Sequence, residues 1–149
     1  MTTVSEVMTP KVKIAAPDQT IQQVAGMMAD LDAGIIPVSE QDRLVGMITD
    51  RDIAVRAVAL GLPPETKVRQ VMTKEIKYCF DDDNLDEVAR NMADIKVRRL
   101  PVVNKDKRLV GILSLGDMAI EDGPDNAGVA LCGISEPGGE HSQAEDGKP

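Results

Sequence analysis

The sequence predicts an α/β chain made of two copies of one unit, each running strand, helix, strand, strand, helix. Three observations carry that expectation: a repeat with a period of 64 to 65 residues, two stretches of helically spaced apolar residues, and two pairs of short apolar strands parted by polar turns. Val7-Met8-Thr9 returns as Val71-Met72-Thr73, and Pro37-Val38 returns as Pro101-Val102, both at an offset of 64. Arg43-Leu44-Val45-Gly46 returns as Arg108-Leu109-Val110-Gly111 at 65, so one residue has been added within Asn104-Lys105-Asp106-Lys107. Loops tolerate such an insertion and strands do not, which places a turn there.

Each copy is expected to open on a lead-in strand, residues 11–14 and residues 75–80. Thr20 with Gln23, and Asn84 with Glu87, have the spacing of capping boxes, in which side chains satisfy the free N–H groups at a helix start. Ile21, Val24, Ala25, Met28 and Leu31 then follow a 3-4 spacing, and Leu85, Val88, Ala89, Met92 and Ile95 repeat it position for position. Residues 35–38 and 44–48 read as a hairpin, as do 100–103 and 109–113. A second helix begins at Thr49 in one copy and at Ser114 in the other. Gly61-Leu62-Pro63-Pro64 breaks the pattern and links the copies. The expected division is therefore 1–62, 63–122, and an acidic Gly/Pro/Ser-containing tail over 123–149. That composition predicts a mobile or loosely docked tail, with an interaction segment as the other reading.

The composition narrows the chemistry. With no Trp, one Phe and one Tyr, the core must be filled by aliphatic residues and eight Met, and a ligand base would have to lie between aliphatic side chains. Residues 1–122 carry 16 Lys and Arg against 20 Asp and Glu, and the last 27 carry one Lys against five acids. Half of the net charge of −8 thus sits in the tail. Such a balance argues against nucleic acid, whose binding needs concentrated cations. Cys79 and Cys132 form no short-spaced metal or redox motif. Cys79 is expected as a buried strand thiol. The lack of a signal-like segment or a long apolar run leads to the expectation of a cytoplasmic protein with no membrane span.

The residues that could carry chemistry recur at the repeat offset. Gly46-Met47-Ile48-Thr49-Asp50-Arg51-Asp52 is matched by Gly111-Ile112-Leu113-Ser114-Leu115-Gly116-Asp117. Thr49 or Ser114 stands where a strand gives way to a helix, so its hydroxyl can cap that helix or donate to a phosphate oxygen. Asp52 or Asp117 lies three residues on, along the same helix face, where a carboxylate can accept two hydrogen bonds from a vicinal diol such as ribose. One occurrence would be an ordinary N-cap. Its return behind the same glycine and strand favours a nucleotide site.

The order of elements, the Met-Thr lead-in, the apolar-Pro-Val strand and the Gly-to-Asp motif together resemble paired cystathionine-β-synthase-type (CBS) domains, or Bateman modules. The resemblance covers about residues 4–122. It implies two pseudo-twofold-related β-α-β-β-α units packed as one module, with ligand clefts between them and assembly into a homodimer. Implied ligands are adenosine compounds: AMP, ADP, ATP or S-adenosylmethionine. By position, the resemblance implies phosphate contacts from Thr49 and Ser114 and ribose contacts from Asp52 and Asp117. It also implies a base pocket from Val12, Ile35, Ile36 and Pro37 in the first copy, and from Ile76, Leu100 and Pro101 in the second. For these apolar residues, plain core packing is the other reading. Arg51, Arg98 and Arg99 are candidate phosphate cations; Arg98 and Arg99 could equally form a solvated face pairing with Asp94 or Asp106. Catalysis is not expected, since the only histidine, His141, lies in the tail. The function expected is a ligand-sensing module acting on a separate effector protein, with a ligand-free dimeric scaffold as the alternative.

Overall fold

The computed structural model describes residues 1–137. Its elements in order are α1 (Val4–Val7), β1 (Thr9–Pro10), α2 (Ile21–Leu31), β2 (Ile35–Glu40), β3 (Arg43–Thr49), α3 (Asp50–Arg56), β4 (Cys79–Phe80), α4 (Leu85–Ile95), β5 (Arg99–Val103), β6 (Leu109–Ser114), α5 (Leu115–Asp122) and α6 (Pro124–Ser135). Short 3-10 turns occupy Val58–Leu60 and Val68–Gln70. The chain divides into two compact units, one built from Val12–Lys77 with Lys105–Leu109, the other from Met1–Lys11, Tyr78–Asn104 and Val110 onward.

In the Val12–Lys77 unit, β2 and β3 form an antiparallel hairpin with a register shift between Val38 and Ser39, next to Pro37. A proline has no N–H to give, so a strand bearing one is tolerated beside such a bulge. Helix α2 starts as its sequence dictates: the Thr20 hydroxyl accepts from Gln23 N (3.1 Å) and Gln23 Oε1 accepts from Thr20 N (2.9 Å). Its 3-4 spacing buries Ile21, Val24 and Met28 against Ile36, Val38, Ile48, Val68 and Val71.

The other unit holds a four-stranded sheet in the order β1-β6-β5-β4, with β1 antiparallel to β6 and β4 parallel to β5. Helix α4 buries Leu85, Val88, Ala89 and Met92 in a core shared with Val4, Val7, Leu100, Val102, Leu113 and Met118. Its cap differs from the expected box, for the Asn84 side chain accepts from Asp86 N (2.8 Å). The Asn84 side-chain carbonyl oxygen is taken up by the second helical N–H, and no reciprocal bond from Glu87 closes a box.

Cys79 is buried in β4 as expected, and burial pushes its thiol from 9.0 up to about 12, with the Asp83 carboxylate adding to the effect. Ellman titration of the native protein should count one fast thiol, lost in Cys132→Ser because Cys132 is exposed. A raised thiol pKa leaves stability untouched below the ordinary range near ~8.5 and erodes it as pH climbs from there toward the folded value. Alkaline denaturation should therefore be milder in Cys79→Ala than in the parent, relative to each protein at pH 7.

Three sequence expectations change. Residues 11–14 do not form a strand: Lys11 is left-handed (φ 54), and pairing with β2 shrinks to a single parallel bridge at Ala15–Val38. Prolines at 10 and 17 flank the segment and withhold ladder donors. Of residues 75–80, only Cys79–Phe80 pairs. By contact, Met1–Lys11 joins Tyr78–Asn104, so the compact units are not continuous stretches of sequence. Finally, Pro124–Ser135 is helical, with Ala130 fully buried on the core of its unit. Proline at N1 and the apolar Ala127, Ala130 and Ile134, packed on the core, outweigh Gly128 and Gly133 there. The rest of the expected mobile tail, residues 138–149, lies outside the described residues.

Candidate functional site

The two predicted motifs fold alike. Each begins with a glycine in a strand, buried where another main chain crosses it. A Cβ on Gly46 would lie 2.9 Å from the Thr73 carbonyl oxygen, and one on Gly111 would lie 2.7 Å from that of Thr9. Only glycine admits that approach. It lets Met47 exchange hydrogen bonds with Thr73 (3.0 and 2.9 Å), and lets β1 pair Thr9 with Ile112. The Met-Thr repeat noted in the sequence thus marks the segment laid beside each motif, Met72-Thr73 in one unit and Met8-Thr9 in the other.

At the end of each strand the hydroxyl caps the following helix. Thr49 Oγ1 accepts from Asp52 N (2.9 Å), and Asp52 Oδ2 accepts from Thr49 N (3.0 Å). Ser114 and Asp117 repeat the arrangement, each bond at 3.1 Å. The main chain before each hairpin buttresses the same turn: Gly34 O accepts from Asp50 N (2.9 Å), and Arg98 O accepts from Leu115 N (3.0 Å). Each aspartate therefore keeps one oxygen in the cap and has the other for a further partner.

What meets that second oxygen differs. Asp52 Oδ1 stands 3.8 Å from Arg56 Nε, and the Arg56 guanidinium also donates to the carbonyls of Val71 and Met72 (3.4 Å each). Asp117 Oδ1 instead accepts from the Thr9 hydroxyl (3.0 Å). Thr9 was not among the expected site residues. The Val-Met-Thr repeat was the available signal, but nothing local tied it to an aspartate more than 100 positions away. The Asp52 side chain retains 12% exposure, so a polar ligand can reach it.

The expected base pocket divides. Ile36 and Leu100 are 1% exposed and belong to the two cores. Pro37 and Pro101 are buried beside them, whereas Val12, Ile35 and Ile76 stay half-buried. Ile76 falls in the Val12–Lys77 unit and not with Leu100 and Pro101. Arg51, Arg98 and Arg99 are exposed, Arg51 on α3, Arg98 just before β5 and Arg99 its first residue.

Among the described residues, no three His, Cys, Asp or Glu side chains gather in a metal-like cluster, and His141 lies outside them. No helix among them is long and apolar enough to cross a membrane.

Comparison with known proteins agrees with this geometry. The CBS domain matches twice, over residues 4–58 and 68–121. The CBS domain-containing protein YhcV of Bacillus subtilis is 42% identical over 136 residues, which is 91% of this chain and 96% of that protein. Hypoxic response protein I of Mycobacterium tuberculosis, solved with two coordinated zinc ions, is 34% identical with a TM-score of 0.72, over 80% of this chain and 98% of its own. CBSX2, solved in complex with AMP, is 26% identical with a TM-score of 0.71, over 80% and 94%.

Proposed function

Since the chain belongs to the CBS domain family and carries the domain twice, as a regulatory module, we propose that it binds an adenosine-containing ligand and reports its occupancy to a separate protein. The observation that carries this reading is the duplicated hydroxyl–carboxylate pair. Thr49 or Ser114 would meet a phosphate, and Asp52 or Asp117 would offer its other oxygen to the ribose diol. Arg51 is the added cation in one unit, Arg98 and Arg99 in the other. Val12, Ile35 and Ile76 are the half-buried aliphatics left for a base. The AMP complex of CBSX2 supports the ligand class, and AMP, ADP, ATP and S-adenosylmethionine share the adenosine these groups would recognise. In this reading the module acts on a separate effector protein, as a cytoplasmic homodimer.

A ligand-free scaffold is the second reading. It is favoured by Asp117, both of whose oxygens already accept bonds from the chain. Thermal unfolding with each adenosine compound separates the two. A ligand at 100 times its dissociation constant adds about 2.7 kcal/mol, a rise of several degrees. That rise should vanish in Asp52→Ala or Asp117→Ala, whichever site is live. If no compound raises the melting temperature, the sensor reading fails and the scaffold stands.

A further inference from the structure

We propose that Thr9 holds the second motif shut: its hydroxyl occupies Asp117 in place of a ligand hydroxyl, so an adenosine-containing ligand is taken at Asp52 alone. This rests on the ligand class proposed above and concerns only which copy of the motif serves it. A ribose diol and a threonine side chain offer the same group, an alcohol O–H. Asp117 already has both oxygens engaged, Oδ2 by Ser114 N (3.1 Å) and Oδ1 by the Thr9 hydroxyl (3.0 Å). A ligand there would exchange one alcohol hydrogen bond for another of the same kind, with little net gain. It would also compete with a donor that folding has already positioned, while itself losing translational freedom.

The first copy is built otherwise. Thr73 is the counterpart of Thr9 at the repeat offset, yet among the described residues its side chain gives Asp52 no hydrogen bond. The two lead-ins are held differently. Thr9 and Pro10 pair with Ile112 and Gly111 as strand β1, whereas Thr73 meets Met47 in a single bridge. Asp52 Oδ1 has Arg56 Nε at 3.8 Å, beyond hydrogen-bond reach, on a side chain that is 52% exposed. An ion pair so open to water contributes little, so an incoming diol displaces it readily. The Val71 and Met72 carbonyls retain the Arg56 guanidinium when it yields.

Charge separates the copies in the same direction. Arg51 and Arg56 of the first motif's helix correspond to Gly116 and Glu121 of the second. Helix α3 therefore carries two arginines, and α5 carries neither Arg nor Lys. Arg98, whose carbonyl accepts from Leu115 N, stands at the start of α5 with Arg99 after it, so the second copy keeps cations for a phosphate. What it lacks is a carboxylate oxygen for the sugar.

Isothermal titration of the full chain with AMP, ADP, ATP and S-adenosylmethionine in turn tests the lock. For the compound that binds, the parent should take one equivalent per chain, and its 2′-deoxy counterpart should bind about tenfold more weakly. Asp52→Asn should erase that preference, since it keeps an oxygen for the Thr49 cap but turns an amide that cannot accept toward the sugar. Thr9 is exposed, so Thr9→Val leaves no core void and preserves the main-chain pairing of β1. It should raise the stoichiometry to two, as should Thr9→Ala, and adding Asp117→Asn should return it to one. Circular dichroism would register the fold of each variant. Two equivalents in the parent, Thr9 variants that still take one, or a diol preference that survives Asp52→Asn would overturn the lock and leave the sensor reading standing. Binding of none of the four compounds would overturn the sensor reading itself, and the lock with it.

Discussion

Gly111→Val will lower the melting temperature by on the order of ten degrees, corresponding to about 3 kcal/mol or more. A Cβ at this position would stand 2.7 Å from both Met8 Sδ and the Thr9 carbonyl oxygen. The thioether can swing aside, but the carbonyl is main chain and moves only if β1 leaves β6. Losing that pairing withdraws the Thr9 hydroxyl from Asp117 and loosens the packing of Val4 and Val7, which precede it on α1. Gly46→Val should act alike in the other unit, against Thr73 O at 2.9 Å. Denaturant melts followed by circular dichroism would measure both, and a Gly111→Val protein melting within a degree of the parent would show that β1 does not depend on this approach. In the presence of a stabilising ligand, Gly111→Val should mimic Asp117→Ala and Gly46→Val should mimic Asp52→Ala, because each distorts one site.

Gly133→Val will detach α6 from α4 at a cost of about 2–4 kcal/mol. The added side chain would meet the main chain of Ala93, with Cα at 2.6 Å and O at 2.7 Å, so no rotamer change relieves it. Ala130 would lose its burial, and Ala127 and Ile134, which pack against the same core, would follow. The polar ends of the contact would go with them: Asn126 donates to Asp86 Oδ1 (2.7 Å) and Asp122 Oδ2 (3.1 Å), and Lys96 caps the far end. Hydrogen exchange should show faster exchange across α6 and the exposed face of α4. Gly128→Ala, on the same helix but with nothing within 4 Å among the described residues, is the matched control. It should stabilise the protein by about 0.5–1 kcal/mol through helix propensity alone. Equal effects from the two substitutions would mean that α6 is not docked.

Local patterns account for much of what the chain forms. The 3-4 spacing from Ile21 to Leu31 and from Leu85 to Ile95 set both long helices and most of their buried faces, with Ala25 and Leu31 left exposed on α2. The hydroxyl three residues ahead of an aspartate set both short-helix caps. These are interactions between neighbours in sequence, and their geometry follows from side-chain reach and backbone period alone. The repeat added the inference that the two caps are one device used twice, which no single cap would support. The Asn84 cap failed to close its box for an equally local reason, since its side-chain oxygen is engaged by the N–H two residues on rather than three.

The tertiary structure decided matters that no local period encodes. It laid Met8-Thr9 against Gly111 and Met72-Thr73 against Gly46, so each lead-in joins the unit whose hairpin it crosses and not the helix that follows it in sequence. That pairing brought Thr9 to Asp117, placed Ile76 with the first copy's hairpin, and set the Val71 and Met72 carbonyls where the Arg56 guanidinium reaches them. It also turned a Gly-rich stretch into α6, because Ala93 offers a surface close enough for Gly133 and Lys96 stands ready at its carbonyl end. In each case the deciding contact joins residues at least 15 positions apart. Whether a backbone can approach a glycine, or a cation can reach a helix end, depends on where the whole chain has already folded.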